Sequence, residues 1–284
     1  MGIEIDEETG IIKCKTDEIK NTIIHLDFPS VGATENIVLA SCLSDAEIII
    51  ENAAMEPEIT VLCNFLIKMG AKITGVGTNI IKIIGVKTLK NVSYNIMPDR
   101  IEAGTFLVAT VMTKGNVNVK NVCSDDLKPI LYKLDECGAN LDIQKNSINI
   151  SMNKRPNALE IKTMPYPGFP TDMQAIFGSM LSLAKGTSFI TEAIFENRFK
   201  YTGELNRMGA KISQKGNTII IEGKKKLNKS RVVATDLRGG IGLVLAGLST
   251  KGEVIVDNIE YILRGYENLV KKLTALGADI RLIY

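Results

Sequence analysis

The chain has 284 residues, of which 45% are hydrophobic and 23% charged, with a formal net charge of +2. Such a length can bury one sizeable core or two modest ones, and so even a charge balance gives no footing for nucleic acid or an acidic membrane surface. No apolar run reaches the ~18 residues of a membrane span, the acidic opening MGIEIDEETG is unlike a signal peptide, and a cytoplasmic location is expected.

In chain order, IEIDEETG and IIKCK read as the two arms of a hairpin ahead of the first complete unit. The strand TIIHLDF follows, carrying the only histidine, His25, as a half-exposed strand residue. Helices are predicted to open at PSVGATENI and EPEITVLCN, with SDAEIII between them as a strand; TNIIKIIGV, Thr78 to Val86, is the partner strand of the hairpin that closes the unit. A boundary is expected between Asn95 and Pro98. Further helices open at MPDRIEAGT and SDDLKPILY. Met152 to Pro170 holds Pro156, Pro165, Pro167 and Pro170, so it is predicted to be extended and stiff rather than helical. Beyond it, helices open at FPTDMQAIF and ENRFKYTGE, and KKKLNK, Lys224 to Lys229, reads as a solvated loop. The last stretch predicts a strand at VVAT, a helix at DLRGGIGLVLAGL and a strand at EVIVDNI. An amphipathic helix, GYENLVKKLTAL, then carries Leu269, Leu273 and Leu276 on one stripe, and ADIRLIY starts a closing strand.

The clearest signal is an internal repeat. LIKMGAKI, LDECGANL, LNRMGAKI and LTALGADI put Gly-Ala pairs at Gly70, Gly138, Gly209 and Gly277, at intervals of about 70 residues. SDAEIII, TKGNVNV, AKGTSFI and TKGEVIV, beginning at Ser44, Thr113, Ala184 and Thr250, keep the same beat. Each unit reads as strand, helix, strand, helix and hairpin, and four units cover Thr22 to Tyr284. The glycine supplies the backbone freedom of a helix C-cap.

The cysteines Cys14, Cys42, Cys63, Cys123 and Cys137 lie far apart, form no close metal-ligand pair, and are odd in number, against a disulfide scaffold. A single histidine argues against Ser-His-Asp and Cys-His mechanisms and excludes a histidine-rich zinc site. Laying the units on one another puts Ser30, Asp99, Asp172 and Asp236 at or near successive helix starts, where a helix cap is the plain reading of Asp172. At the second helices, acidic starts give way to Arg198 and Arg264. An arginine in a first turn opposes the helix dipole, so either surface chance or a shared anion explains the pair. In the second case Arg198, Arg264 and Arg238 face a small polyanion, and Asp172 and Asp236 stay ionised beside them to accept a proton or orient a hydroxyl. SVGAT, Ser30 to Thr34, is a second candidate anion site. It is short and lacks the lysine of a P-loop.

The motifs PSVGATENI, ENAAMEPEI, MPDRIEAGTF, FPTDMQA, TEAIFENRF, ATDLR and LRGYEN together resemble, in order and nearly end to end, the UDP-N-acetylglucosamine enolpyruvyl transferases of the EPSP synthase superfamily. The resemblance implies an α/β fold, an inside-out α/β barrel built from repeated βαβαββ units, four of the family's six being present. Residues 1–97 would be a remnant of the UDP-sugar-side domain, with one full repeat over 22–86. Residues 98–284 would be the second domain, with repeats at 98–150, 160–222 and 231–284. The activity implied is transfer of the enolpyruvyl group of phosphoenolpyruvate to the 3′-hydroxyl of UDP-N-acetylglucosamine, the first committed step of peptidoglycan synthesis, with no metal or organic cofactor. By the resemblance Asp172 is the acid at the sugar hydroxyl and Asp236 the second active-site aspartate. Arg198, Arg238 and Arg264 surround phosphoenolpyruvate. Ser30, Val31 and Gly32 meet the pyrophosphate, and Ile194 and Phe195 lie near the amino sugar.

The family's Lys-Asn segment and its loop cysteine or aspartate have no counterpart in this sequence, and none of the five cysteines stands in that motif. The chain alone is therefore expected to be inactive, and to self-associate or to need a missing N-terminal half. Some of Ile23, Ile24, Leu39, Leu62, Phe65 and Leu66 should then be exposed, covered by a second chain or disordered. Two alternatives stand beside this reading: another acceptor, such as shikimate 3-phosphate, and a non-catalytic fragment that binds.

Overall fold

A computed structural model describes residues 1–8 and 10–283. The repeated Leu-x-x-x-Gly-Ala signature is a helix terminus made four times. The alanine N–H reaches the leucine carbonyl at Ala71–Leu66 (2.9 Å), Ala139–Leu134 (3.1 Å), Ala210–Leu205 (3.0 Å) and Ala278–Leu273 (3.0 Å). The glycine N–H turns back on Ile67, Asp135, Asn206 and Thr274, at 2.8–2.9 Å. These are Schellman closures, which need a left-handed residue at the glycine, and φ there is +109°, +92°, +87° and +95°. Each leucine is buried and anchors its terminus to a core.

The chain divides into two compact units, Met1–Met97 with Pro165–Pro167, and Pro98–Met164 with Gly168–Tyr284. In the first, β1 (Glu4–Glu8) and β2 (Ile11–Lys15) form the expected antiparallel hairpin. Then come β3 (Thr22–His25), α1 (Val31–Cys42), β4 (Glu47–Glu51), α2 (Pro57–Met69), β5 (Lys72–Thr74) and β6 (Ile80–Ile84). Their sheet has the order β3-β4-β6-β5, with β3 and β4 parallel and the other pairs antiparallel. Ile48, Ile50, Ile81 and Ile83 alternate inward and are fully buried with Cys63 and Val38. Of the six residues expected in this core, Leu66 is buried and Ile24, Leu62 and Phe65 are partly so, whereas Ile23 and Leu39 are exposed, at 64% and 51%.

The second unit starts with α3 (Arg100–Thr113), β7 (Asn116–Lys120), α4 (Lys128–Glu136), β8 (Asn140–Gln144) and β9 (Ser147–Ser151), in the sheet order β7-β9-β8. It continues with β10 (Glu160–Lys162), a 3-10 turn (Thr171–Met173), α5 (Gln174–Leu181), β11 (Thr187–Thr191), α6 (Tyr201–Arg207), β12 (Lys211–Lys215) and β13 (Thr218–Glu222). The order β10-β11-β13-β12 repeats the topology of the first unit's sheet. Last come β14 (Arg231–Val233), α7 (Leu237–Leu248), β15 (Ile255–Asp257), α8 (Glu260–Leu263) and α9 (Leu269–Ala275), with β14 and β15 parallel. Helices α3, α5 and α7 pack on one another at the centre, and all eight residues of α5 are buried. Close approach of α5 and α7 depends on Gly242, where a Cβ would lie 2.7 Å from Ser179 Oγ and 3.1 Å from the Ala175 carbonyl oxygen.

Several expectations change. Among the described residues the sheets are separate and open; none closes on itself. Among the described residues no strand precedes α3 within its own repeat, so that repeat's sheet has three strands rather than four. The expected closing strand at ADIRLIY is absent over the described residues 278–283. The helix expected from Gly265 is confined to Leu269–Ala275. Asn268 is left-handed there (φ 52°), a conformation asparagine adopts more readily than most residues. Leu269 and Leu273 are buried on its stripe, while Leu276, past its end, is 53% exposed.

Candidate functional site

Helix starts decide the roles of the repeated acids. Ser30 caps α1 by accepting from the Ala33 N–H, Asp99 caps α3 through the amides of Ile101 and Glu102, and Asp236 caps α7 through those of Arg238 and Gly239. Asp172 breaks the series. The three prolines lead into a 3-10 turn capped by Pro170, and the Asp172 side chain lies in its first turn and caps nothing. Its carboxylate is left for cations.

Two guanidiniums take it. Arg198 Nη2 donates to Asp172 Oδ1 at 2.6 Å, while Arg238 donates to Oδ2 from Nη2 at 2.9 Å and from Nε at 3.2 Å. The side chains of Arg198 and Arg238 are 20% and 13% exposed, and that of Asp172 37%. Burial opposes ionisation of Asp172, and the charges of Arg238 and Arg198 outweigh it, so its carboxyl lies below the usual carboxylate range. Arg238 also donates to the Tyr266 hydroxyl at 3.2 Å, and that hydroxyl is 2.9 Å from Thr105 Oγ1 on α3. Burial pushes the Tyr266 phenol up. The Arg198 guanidinium lies 5.0 Å from the centroid of the Phe195 ring, within cation–π range.

The remaining candidates lie elsewhere. Arg264 is exposed, and neither it nor Arg198 stands in the first turn of a helix. Arg198 lies in the turn ahead of α6, whose cap is Lys200, and Arg264 closes α8 at its C-terminus. A cation at a helix C-terminus is favoured by the dipole, so the electrostatic cost expected of a first-turn arginine does not arise at Arg264. Asp236 is held by two amides and by the Thr235 hydroxyl, at 2.8–3.1 Å. Ile194 is half-buried and Phe195 exposed. They border a cavity of about 510 Å³ with Glu192, Asn197, Gln214 and Asn217. In the first unit, Val31 and Gly32 begin α1, where backbone amides have no intrahelical acceptor, and the space beside Gly32 is open.

Thr171, Glu192, Tyr266 and Thr105 are the polar partners that sequence reasoning missed. All four stand inside the family motifs, MPDRIEAGTF, FPTDMQA, TEAIFENRF and LRGYEN, but nothing local distinguishes a buried tyrosine or glutamate from a surface one. The cysteines stand apart from the cluster. Burial pushes the Cys63 and Cys137 thiols up to about 11, which keeps them protonated at neutral pH. Iodoacetamide at pH 7 should therefore alkylate exposed Cys14 and leave Cys63 and Cys137 unmodified in the folded chain, as read by peptide mass spectrometry.

The sequence matches the family model for EPSP synthase (3-phosphoshikimate 1-carboxyvinyltransferase) over residues 1–273. It is 52% identical over 281 residues to UDP-N-acetylglucosamine 1-carboxyvinyltransferase 2 of Caldanaerobacter subterraneus subsp. tengcongensis, covering 99% of this chain and 67% of that one. To UDP-N-acetylglucosamine 1-carboxyvinyltransferase of Shewanella sediminis it is 50% identical over 282 residues, with the same coverage of 99% and 67%. The chain thus spans about two thirds of the length of these relatives. Among solved structures it is similar to the enolpyruvyl transferase NikO from Streptomyces tendae (TM-score 0.89, 24% identity, 99% of this chain and 69% of that one). It is also similar to EPSP synthase from Acinetobacter baumannii (TM-score 0.72, 21% identity, 100% and 70%). The fold is that of the enolpyruvyl transferases. The chain belongs to the EPSP synthase family and, within it, to the family of the UDP-N-acetylglucosamine 1-carboxyvinyltransferases.

Proposed function

We propose that this chain serves transfer of the enolpyruvyl group from phosphoenolpyruvate to the 3′-hydroxyl of UDP-N-acetylglucosamine, with release of phosphate, in peptidoglycan synthesis. The observation that carries the reading is Asp172 held between Arg198 and Arg238. In the reaction the sugar hydroxyl adds to C2 of phosphoenolpyruvate while C3 gains a proton. The tetrahedral adduct then loses phosphate and a C3 proton. Asp172 accepts or orients the hydroxyl proton, and the arginines bind the anion, more tightly as charge develops on the adduct. An incoming anion competes for the same guanidinium N–H groups. Each bond it takes from Asp172 makes that carboxylate a better base as the acceptor arrives. Proton transfer and anion binding are both met by side chains, so the reading needs no metal or organic cofactor.

Asp236 and Arg264 complete the reading on the phosphoenolpyruvate side, Ile194 and Phe195 take the amino sugar, and Ser30, Val31 and Gly32 take the pyrophosphate at the start of α1. An inside-out α/β barrel with four of the family's six repeats, two of them with all four strands among the described residues, is the finer form of the fold, supported by the twice-used sheet order and the four Schellman closures. Among the described residues no helix is long and apolar enough to cross a membrane. We assign the protein to the cytoplasm, where its substrates as small soluble anions are found. Self-association is to be read by light scattering.

The test is phosphate release by a preparation of the family's full length with both substrates, and with shikimate 3-phosphate in place of the nucleotide sugar. Release is expected only with UDP-N-acetylglucosamine. Release with shikimate 3-phosphate alone would reverse the assignment of the acceptor.

A further inference from the structure

We propose that Glu192 and Thr171 form a positioning relay that fixes Arg198 against Asp172 and ties it to the Ile194–Phe195 turn. Glu192 follows β11 and is 3% exposed. Its Oε1 accepts from Thr163 Oγ1 (2.7 Å) and from the amides of Ile194 (2.8 Å) and Phe195 (3.2 Å), and its Oε2 from Thr171 Oγ1 (2.9 Å). Burying a carboxylate is costly unless its lone pairs are satisfied, and here two hydroxyls and two amides do so. Thr171 in turn accepts from Arg198 Nη1 at 2.7 Å.

The directions of these bonds are forced. A carboxylate only accepts and a guanidinium only donates, so the single Thr171 proton points at Glu192 and its lone pair at Arg198. Arg198 is thereby held at both ends of its fork, by Thr171 on Nη1 and by Asp172 on Nη2. The same carboxylate pins the amides of the turn that borders the cavity, so whatever moves Ile194 and Phe195 pulls on the acceptor that orients Thr171. A merely structural carboxylate would have no need to present its charge, through one hydroxyl, to an arginine of the Asp172 cluster.

The kinetic consequence rests on the transfer reading, whereas the geometric one does not, so two readouts separate them. In the 284-residue chain, Thr171→Val keeps the side-chain shape and removes the hydroxyl. Asp172 should then titrate at higher pH than in the wild type, because one of its two guanidiniums is no longer fixed, and Thr171→Ser should restore it. Carboxyl 13C NMR reads this without substrate. Glu192→Gln, which leaves Thr171 facing an amide donor, should shift Asp172 the same way and covers the case of a valine variant that does not fold. Where the wild type turns over, KM for phosphoenolpyruvate should rise about tenfold in Thr171→Val, the loss of one charge-assisted bond, with recovery in Thr171→Ser. An unchanged Asp172 titration in both variants, with or without a lower melting temperature, would make the contacts structural and overturn the proposal. No phosphate release by a wild-type preparation of the family's full length would count against the transfer reading alone.

Discussion

Replacing Asp172 by asparagine is expected to lower kcat by roughly two to four orders of magnitude, the usual worth of a positioned general base, in the preparation where the wild type releases phosphate. The substitution keeps the shape and removes the charge shared by Arg198 and Arg238. Phosphoenolpyruvate binding should survive or tighten, since the guanidiniums are freed for the anion, so the loss falls on kcat rather than on KM. A matching signature appears in stability. The folded carboxyl lies below its ordinary range, with burial opposing and Arg238 and Arg198 favouring the charged form. A depressed folded value contributes stability that is complete above the unfolded value and is lost as pH falls through the folded one. The melting-temperature gap between wild type and Asp172→Asn should therefore be full at pH 7, begin to close below about pH 4, where an unfolded aspartate protonates, and vanish only below the folded value. A gap independent of pH would remove the ionised carboxylate from the account.

Among the candidate site residues, Arg238→Ala should be the most damaging substitution for the second unit's stability. Arg238 donates twice to Asp172 and once to the buried Tyr266 hydroxyl, and it does so at the start of α7, a helix packed on α5 and α3. Truncation leaves Asp172 with one guanidinium and Tyr266 with Thr105 alone. A loss of about 2–3 kcal/mol is expected for a charge-assisted cluster that is only partly exposed. For a unit of this size that corresponds to a fall of roughly 5–10 °C in melting temperature. Phosphoenolpyruvate use should fall as well. Arg264→Ala makes the contrast: it is exposed and outside this cluster, so its melting temperature should stay at the wild-type value whatever happens to turnover. A stable Arg238→Ala protein would show that Arg198 alone can hold Asp172.

The periodicity of this sequence carried the architecture because it records local physics. A glycine that must be left-handed, an alanine that follows it and a leucine that anchors the turn are all set within six consecutive residues, so Leu66–Ala71 and its three counterparts were legible. The same holds for the caps at Ser30, Asp99 and Asp236, where side chain and amides are near neighbours. Asp172 shows the limit. The prolines before it and the acid itself could be read as another cap, and only tertiary structure gives it partners 26 and 66 residues away. Arg264 shows a limit of another kind: its spacing from Arg198 suggested two equivalent helix starts, but Arg264 closes α8, and the next helix opens only at the left-handed Asn268. Glu192, Thr171, Tyr266 and Thr105 were beyond reach of the sequence for one reason. Whether a polar side chain is solvated or buried against a guanidinium depends on how separate helices and strands pack, and sequence spacing encodes the period of one element, not the meeting of several. By itself, then, the sequence determined the repeat, its helix ends and the family motifs. The meeting of Asp172, Arg198, Arg238 and Tyr266 was decided only by the packing of the helices and turns that carry them, because charge pairs form across space and leave no period along the chain.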